Sequence, residues 1–413
     1  MLKIIFLGIS TTLVLYSFNY AKANSCAELN SPQAVLDCAL EKHPDAVRGK
    51  GLNDQGDTIE SVARQLPNPE LNSKAVYGDN FGTRVGSTEI SLMQNFELGG
   101  KRSARIERAI AEKTQISSQF QKSKEEVYVS TARTLYRVRQ LYSEIKILDE
   151  ALYTFSKIHR QYQSRPRLNP EQQVTTSIFQ LAEGDYRLRK ALIESEVNDL
   201  ERHLEMAIGE TLKITEKILP PKKQTWPKLS DESSDLSFSS DWKLSETSLK
   251  LAQAEALAAK GTSWPDLKIG PTVQIETEGT TSFQTYGLSL TMTLPLFHLN
   301  GAGRTFASQS ISIAEKSHEA KKIELKKEKQ VLFDRYKRSL KALNESVSHS
   351  ELEKKHKNIE SLFQRGIIAS SLVIEAHRQL VDFTRSQNEQ ELDALETFWK
   401  VKALEGRLLE TPL

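Results

Sequence analysis

Residues 284–297 read QTYGLSLTMTLPLF, and apolar and polar side chains alternate through most of this stretch. The apolar set is Tyr286, Leu288, Leu290, Met292, Leu294 and Leu296, and the polar set is Thr285, Ser289, Thr291 and Thr293. Alternation with a period of two is typical of a β-strand, in which successive side chains point to opposite faces of a sheet. The stretch therefore predicts a strand with one apolar face and one polar face.

Two further stretches alternate in the same way, at about 84–98 and 265–278, and a third alternates more weakly at about 69–80. Turn residues separate the members of each pair. Each strand is long enough to cross a bilayer, since a tilted strand needs about 9–11 residues. Four strands cannot close a membrane barrel, which needs about eight, and open sheet edges are not tolerated in lipid. The sequence predicts either a soluble sandwich whose apolar face meets a core, or an oligomer in which three chains close a twelve-stranded barrel.

The two strand pairs belong to two copies of one plan. Leu71 and Leu267 each follow a proline-containing turn and lie 196 residues apart, and Arg102 and Arg304 each follow a glycine-containing junction and lie 202 residues apart. Residues 101–163 contain neither Pro nor Gly and carry an apolar stripe at spacings of three and four. That pattern predicts a single helix of about 94 Å, at about 1.5 Å per residue, packed as a coiled coil.

The predicted organisation therefore has three parts after the N-terminus. The first is a repeat at 24–208, with strands at about 69–80 and 84–98 and helices at about 101–163 and 171–208. A linker or equatorial segment at 209–241 follows. The second repeat occupies 242–413, with strands at about 265–278 and 284–297 and helices at about 304–365 and 370–405. The predicted fold class is mainly α with a small β part.

The N-terminus predicts export. Lys3, an apolar stretch and the segment Ala21-Lys22-Ala23 have the order of a secretory signal peptide at residues 1–23. The two cysteines of the chain, Cys26 and Cys38, follow directly. In an oxidising compartment they are expected to form a disulfide; free thiols, or a lipid on Cys26, are the alternatives.

Composition excludes several functions. With 56 Lys+Arg against 54 Asp+Glu, the net charge of +2 does not favour nucleic-acid binding. The sequence contains no run of about 18 apolar residues, so no membrane-spanning helix is predicted. The eight histidines contain no pair spaced four residues apart, and none lies beside a cysteine, so neither a metal site nor a cofactor is predicted. No catalytic constellation is present, and the chain is not expected to be an enzyme.

Two junctions resemble those of a known family. The segment Gln94-Asn95-Phe96-Glu97-Leu98-Gly99-Gly100-Lys101-Arg102 resembles the strand-to-helix junction of the TolC-like outer-membrane efflux family, especially of its CzcC-like heavy-metal branch. Leu294-Pro295-Leu296-Phe297, followed by Asn300-Gly301, resembles the second junction of that family. The junction residues singled out are Gly99, Gly100, Lys101, Arg102, Pro295, Phe297 and Gly301. Lys101 and Arg102 fit a position facing lipid headgroups about as well as a role in capping the helix.

The resemblance implies a TolC-like fold and a function. It implies a homotrimer whose strands form a twelve-stranded barrel in the outer membrane and whose coiled-coil helices form an α-barrel in the periplasm. The expected partners are a periplasmic adaptor (membrane fusion) protein, an inner-membrane pump of RND type and outer-membrane lipid. The chain would pass substrates such as metal cations or drugs out of the cell. Type I protein secretion and a periplasmic coiled-coil structural protein are the alternative functions.

The resemblance also identifies a periplasmic tip. Phe363-Gln364-Arg365-Gly366-Ile367 resembles the turn between the last two helices of the family, which makes Arg365, Gly366 and Ile367 candidate gate or adaptor contacts. Glu375 fits one position of the acidic residues that constrict the tunnel in many family members, whereas Leu372 stands at the other. An ordinary exposed helix carboxylate is the alternative interpretation of Glu375.

Overall fold

The computed structural model describes residue 26 and residues 29–229, 235–297 and 299–413. The predicted signal peptide at 1–23 lies outside the described residues. Within the described ranges the chain is mainly helical and carries one small sheet. Its elements are α1 (Pro32–Lys42), α2 (Pro44–Arg64), β1 (Glu70–Asn80), β2 (Thr83–Glu97), α3 (Lys101–Gln163), α4 (Pro170–Ile208), α5 (Ser240–Gly261), β3 (Asp266–Glu278), β4 (Thr281–Met292), α6 (Gly301–Glu345), α7 (His349–Gln364) and α8 (Ser370–Leu404).

The four strands form one antiparallel sheet in the order β1-β2-β3-β4. Its register places the apolar positions of neighbouring strands side by side: Leu71 pairs with Leu92, and Ile90 pairs with Val273. Val273 in turn pairs with Tyr286 on β4. Because side chains alternate along each strand, this register collects the apolar residues of all four strands on one face.

The long helices have defined ends. α3 contains 63 residues, and its length agrees with the absence of Pro and Gly from residues 101–163. Asn169 caps α4: its side chain accepts a hydrogen bond from the Gln172 backbone N–H, and the Gln172 side chain accepts one from the Asn169 N–H. Pro170 occupies the first position of α4, where its missing N–H costs nothing. The two helices thus form a hairpin around a turn at 164–169.

The core lies among the helices. One cluster surrounds Trp399 of α8, whose indole packs against Tyr128 and Tyr136 of α3 with ring centroids 6.3 and 5.8 Å away. A second cluster, nearer the far ends of the helices, centres on Phe155 of α3 and Phe179 of α4. Both clusters draw residues from the first and the second repeat, so the two repeats fold as one helical body. Among the described residues, no helix is both long and apolar enough to cross a membrane.

The second repeat departs from the predicted element bounds. The helix expected at 304–365 begins at Gly301 and is interrupted after Glu345, so that α6 and α7 are separate. A residue of α8 stabilises this interruption: the Gln387 side chain donates hydrogen bonds to the Ser346 hydroxyl and the Val347 carbonyl. The Ser348 hydroxyl then caps α7 by accepting from the Glu351 N–H. These side-chain contacts arise from tertiary packing and leave no periodic trace in the sequence.

The last strand is also shorter than predicted. It was expected over 284–297 but runs from Thr281 to Met292. β3 begins at Asp266 and pairs Leu267 with Met292, so residues beyond Met292 have no partner on that side. Pro295 also lacks the N–H that a ladder requires.

At the N-terminus, Cys26 and Cys38 form a disulfide with their Cα atoms 5.5 Å apart. Cys38 lies on α1, and the bond therefore ties the start of the described chain to that helix.

Candidate functional site

The apolar face of the sheet is exposed on β1, β2 and β4 and partly exposed on β3. On β4, Tyr286, Leu288 and Leu290 are 77%, 71% and 62% exposed. On β1, Leu71 and Tyr77 are similarly open. Contiguous apolar surface of this kind marks a face that meets a partner or a membrane. The sequence predicted either a soluble sandwich or an oligomeric barrel. The single chain is not a sandwich with a covered apolar face, because its described helices leave that face open.

The opposite face of the sheet is polar and internally hydrogen-bonded. The Gln274 side chain donates to the Ser87 hydroxyl and to the Glu276 carboxylate, at 3.1 and 2.8 Å. Lys268 donates to both carboxylate oxygens of Glu70 across the sheet, at 2.8 and 2.7 Å. Such cross-strand pairs stabilise the sheet and suit a surface in contact with water. The sheet therefore has one face suited to an apolar environment and one suited to an aqueous environment.

The first strand-to-helix junction is a packed joint. Gly99 and Gly100 have φ values of +69° and +78°, in the left-handed region that favours glycine. A Cβ atom on Gly99 would lie 2.5 Å from the side chain of Trp264, which precedes β3 in the second repeat. Lys101 forms an ion pair with Asp266 at 2.7 Å, again between repeats. The junction therefore joins the repeats where the sheet meets the helices.

Arg102 and Arg105 attach the same joint to α2. Arg102 donates to the Arg64 carbonyl at 2.9 Å, and Arg105 donates to the carbonyls of Ala63 and Gln65. Arg105 also donates to both oxygens of Glu97, at 2.5 and 3.0 Å. Lys101 and Arg102 thus have protein partners, and neither caps the start of α3 with a side-chain hydrogen bond.

The second junction is more open. Phe297 is fully exposed, and Pro295 follows the end of β4. Asn300 holds φ of +49° before Gly301, and its side-chain amide donates to the Ala259 carbonyl at 3.0 Å. That contact ties the start of α6 to the end of α5.

The predicted tip residues lie at the turn between α7 and α8. Gly366 has φ of +73°, and its N–H and that of Ile367 donate to the carbonyls of Phe363 and Leu362. These two bonds form a Schellman-type helix end, which requires a residue such as glycine at this position. Arg365 and Ile367 are exposed. They are therefore accessible to a partner at the end of the helices remote from the sheet.

Glu375 lies partly exposed near the start of α8 and is paired with neighbouring side chains. Arg378 donates to both of its carboxylate oxygens at 2.9 and 2.7 Å, and Gln379 donates to one of them. The hydrogen bonds from Arg378 hold the pKa of Glu375 below its usual range. Leu372, at the other expected acidic position, is an exposed apolar side chain. The carboxylate is thus ionised, with its charge offset by its own helix.

A cleft of about 1120 Å³ opens between the α3–α4 hairpin and the α7–α8 hairpin near the tip. His356 and Glu360 line this cleft, and the buried His377 lies beside them. This cluster is not evident from the sequence, because its histidines are paired neither with each other at helical spacing nor with a cysteine. The available signal was the spacing of His356 and Glu360 by four residues, which places both on one face of a helix. His377 could be assigned to them only once α7 and α8 were packed together.

Solved structures of outer membrane channels resemble the chain over nearly its whole length. The open state of the Neisseria gonorrhoeae MtrE outer membrane channel matches with a TM-score of 0.74 and 14% identity, covering 92% of this chain and 90% of that chain. The outer-membrane channel OprN matches with a TM-score of 0.72 and 14% identity, covering 94% and 96%. CusC, solved in a study of folding and transmembrane channel formation, matches with a TM-score of 0.68 and 14% identity, covering 91% and 92%.

No family model and no curated protein matches the chain. At 14% identity, the structural likeness establishes the fold. The chain has the mainly helical, tandem-repeat TolC-like fold of these outer membrane channels, with long antiparallel helices and four strands in one sheet.

Proposed function

We propose that the chain is the outer-membrane duct of a tripartite efflux system. The observation that carries this proposal is the sheet, whose four aligned strands leave one apolar face open and present a hydrogen-bonded polar face on the other side. An apolar outer band and a polar lumen are the features of a membrane barrel. The sheet faces water through Gln274 and Lys268 and lipid through Leu288 and Tyr286.

The open edges of the sheet require partners. β1 and β4 are the outer strands, and each has one side without a neighbour among the described residues. Within lipid such edges must be paired, because no water is present to satisfy the backbone groups. Three copies, joined β4 to β1, would close a barrel of twelve strands, which exceeds the smallest membrane barrels of about eight. The assembly is therefore a homotrimer in the outer membrane.

The helices extend the duct into the periplasm. α3 alone has 63 residues and spans about 94 Å at about 1.5 Å per residue. Its far end, with the exposed Arg365–Ile367 turn of the second hairpin, is the surface offered to a periplasmic adaptor protein, through which an inner-membrane pump of RND type delivers its substrate. In this proposal the duct moves substrates without changing them covalently and has no enzymatic role.

The substrates are small, such as metal cations or drugs. The resemblance of the junction motif at residues 94–102 to the CzcC-like heavy-metal branch supports metal cations as substrates. Glu375 contributes less to cation selection than an unpaired acidic ring would, because Arg378 neutralises it locally.

Membrane fractionation of cells expressing the full chain, followed by electrophoresis of unheated and heated samples, tests this proposal. The duct should be recovered in the outer-membrane fraction and should migrate as a trimer unless it is heated. Recovery as a monomer in the soluble periplasmic fraction would refute it and would support the periplasmic coiled-coil alternative.

A further inference from the structure

His356, Glu360 and His377 bring three donor atoms to one point between α7 and α8. One donor atom from each residue lies within 4.8 Å of the other two. The Nε2 atom of His356 lies 3.5 Å from Oε1 of Glu360, and the Nε2 atom of His377 lies 3.6 Å from the same oxygen. Both distances exceed those of a good hydrogen bond. They are close to the separation of about 3.3–3.5 Å between ligands of a tetrahedral ion with bonds of about 2.0–2.2 Å.

The second nitrogen of His377 is already engaged. Nδ1 lies 2.8 Å from the Val373 carbonyl, to which it can only donate. That bond assigns the proton to Nδ1 and leaves the lone pair of Nε2 directed at the cluster. A metal-binding histidine is commonly oriented in this way by a carbonyl or carboxylate on its other nitrogen.

His377 is buried, and its Nε2 atom has no hydrogen-bond partner among the described residues. No part of this side chain is exposed, and its ring packs edge-on against Phe155 at 5.2 Å. A buried polar atom without a hydrogen-bond partner destabilises the fold. This one lies beside the potential metal-ligating atoms of His356 and Glu360.

The remaining two residues complete the site and leave it accessible. His356 is almost buried, and its ring meets that of His377 edge-on at 4.5 Å. Glu360 is partly exposed and accepts a hydrogen bond from the Thr154 hydroxyl of α3 at 3.2 Å. His356 and Glu360 line the cleft between the two hairpins, from which an ion could enter and a water could supply a fourth ligand.

We propose that His356, Glu360 and His377 form a binding site for one divalent transition-metal cation of the Zn²⁺ type. Two imidazoles and one carboxylate suit Zn²⁺, Co²⁺ and Ni²⁺ better than Mg²⁺ or Ca²⁺, which prefer oxygen ligands. The bound ion would join α7 to α8 directly. Through Glu360 and Thr154, it would also hold both helices against α3.

Binding of Zn²⁺ to the detergent-solubilised full chain, freed of metal with a chelator, tests the site. Isothermal titration calorimetry should give one tight Zn²⁺ per chain, and Co²⁺ should give the intense visible absorption of a tetrahedral site. His356→Gln and Glu360→Gln should each weaken Zn²⁺ binding by at least about tenfold. His203→Gln, which removes a histidine from α4 outside the cluster, should leave binding unchanged.

Equal Zn²⁺ affinity in the parent, His356→Gln and Glu360→Gln would overturn the proposal, as would equal weakening by His203→Gln. Circular dichroism of each metal-free variant establishes that its helices are intact. Glu360→Gln preserves the shape of its side chain, so it decides the result if His356→Gln does not fold. The titration measures no transport, and its outcome is therefore separate from that of the proposed efflux function.

Discussion

Gly99 and Gly100 are adjacent and have the same left-handed backbone, but their surroundings differ. Nothing lies within 4 Å of a Cβ atom built on Gly100, whereas one on Gly99 would lie 2.5 Å from Cβ of Trp264. Since Cβ is fixed to the backbone, Trp264 cannot relieve this contact by rotating its ring. The close approach therefore requires glycine at Gly99 for a second reason besides its φ.

We expect Gly100→Ala to reduce the free energy of unfolding by about 1–2 kcal/mol, the cost of a left-handed alanine. Gly99→Ala should cost clearly more, because it adds the contact with Trp264. Thermal unfolding followed by circular dichroism measures both. An equal decrease in the free energy of unfolding in the two variants would mean that the backbone around Gly99 moves away from Trp264 at little cost.

Glu125 of α3 is a buried carboxylate. It accepts a hydrogen bond from the Ser240 hydroxyl at 3.0 Å, and burial raises its pKa above the ordinary value of 4.5. The folded state therefore holds the proton of Glu125 to a higher pH than the unfolded state does. The resulting contribution to stability is complete below the unfolded pKa and is lost as the pH rises through the folded pKa.

Glu125→Gln should therefore raise the melting temperature at pH 7.5, because it removes a desolvated charge and retains an acceptor for Ser240. The gain should shrink as the pH approaches 4.5, where the parent carboxyl is becoming protonated. Glu126→Gln, at the exposed neighbouring position, should show little change at either pH. A gain that is independent of pH would contradict the burial of an ionised Glu125.

At the scale of elements, β4 separates the two faces of the sheet residue by residue. Leu288 lies near the middle of β4 on the apolar face, and Ser289 lies on the polar face opposite Gly270. In the proposed barrel, Leu288 contacts lipid and Ser289 faces the lumen. The two neighbours therefore offer a matched comparison.

Leu288→Arg should impair insertion in the outer membrane, since an arginine at the lipid midplane costs about 2–4 kcal/mol. Ser289→Arg should assemble nearly as the parent does, because its charge remains in water. The amount of heat-sensitive trimer in the outer-membrane fraction is the measurement. Impaired assembly of Ser289→Arg alone would mean that the faces are reversed.

The elements that the sequence predicted well are those with a local, repeated pattern. The alternation of Tyr286, Leu288 and Leu290 predicted the faces of β4, and the absence of Pro and Gly predicted the full extent of α3. The interruption between α6 and α7 was missed because it depends on hydrogen bonds from Gln387, about forty residues away. The end of β4 was misplaced because strand length is set by the partner strand as well as by alternation.

The same distinction applies to the candidate sites. Gly99, Gly366 and Lys101 could be singled out because turns and helix ends leave local signatures. Their partners could not, since Trp264 and Asp266 meet them across the joint between repeats. The His356, Glu360 and His377 cluster depends on the packing of α7 against α8, which no spacing within one helix encodes.

At the scale of the whole molecule, a buried polar network connects helices from both repeats midway between the two main apolar clusters. Glu391 of α8 accepts hydrogen bonds from Arg139 and Gln140 of α3 and from the Lys223 backbone N–H of the linker. Asn388, one turn earlier, donates to Glu144. The network thus fixes the second repeat and the linker against the longest helix of the first repeat.

Glu391 is the central residue of this network because its carboxylate stabilises three positively charged side chains. It forms a buried ion pair with Arg139, and its charge favours the charged forms of Lys222 and Lys223, whose pKa values burial lowers. Replacing one member of a buried pair leaves the other without compensation, at a cost of about 3–5 kcal/mol. An exposed pair on the same helix, such as Glu389 with Arg385, contributes about 0–1 kcal/mol.

Glu391→Gln should therefore lower the free energy of unfolding by about 3–5 kcal/mol, whereas Glu389→Gln should lower it by less than about 1 kcal/mol. Denaturant unfolding of the solubilised chain, followed by helical circular dichroism, compares the two variants. A small loss in Glu391→Gln, equal to that in Glu389→Gln, would show that apolar packing around Trp399 suffices to hold the two repeats together.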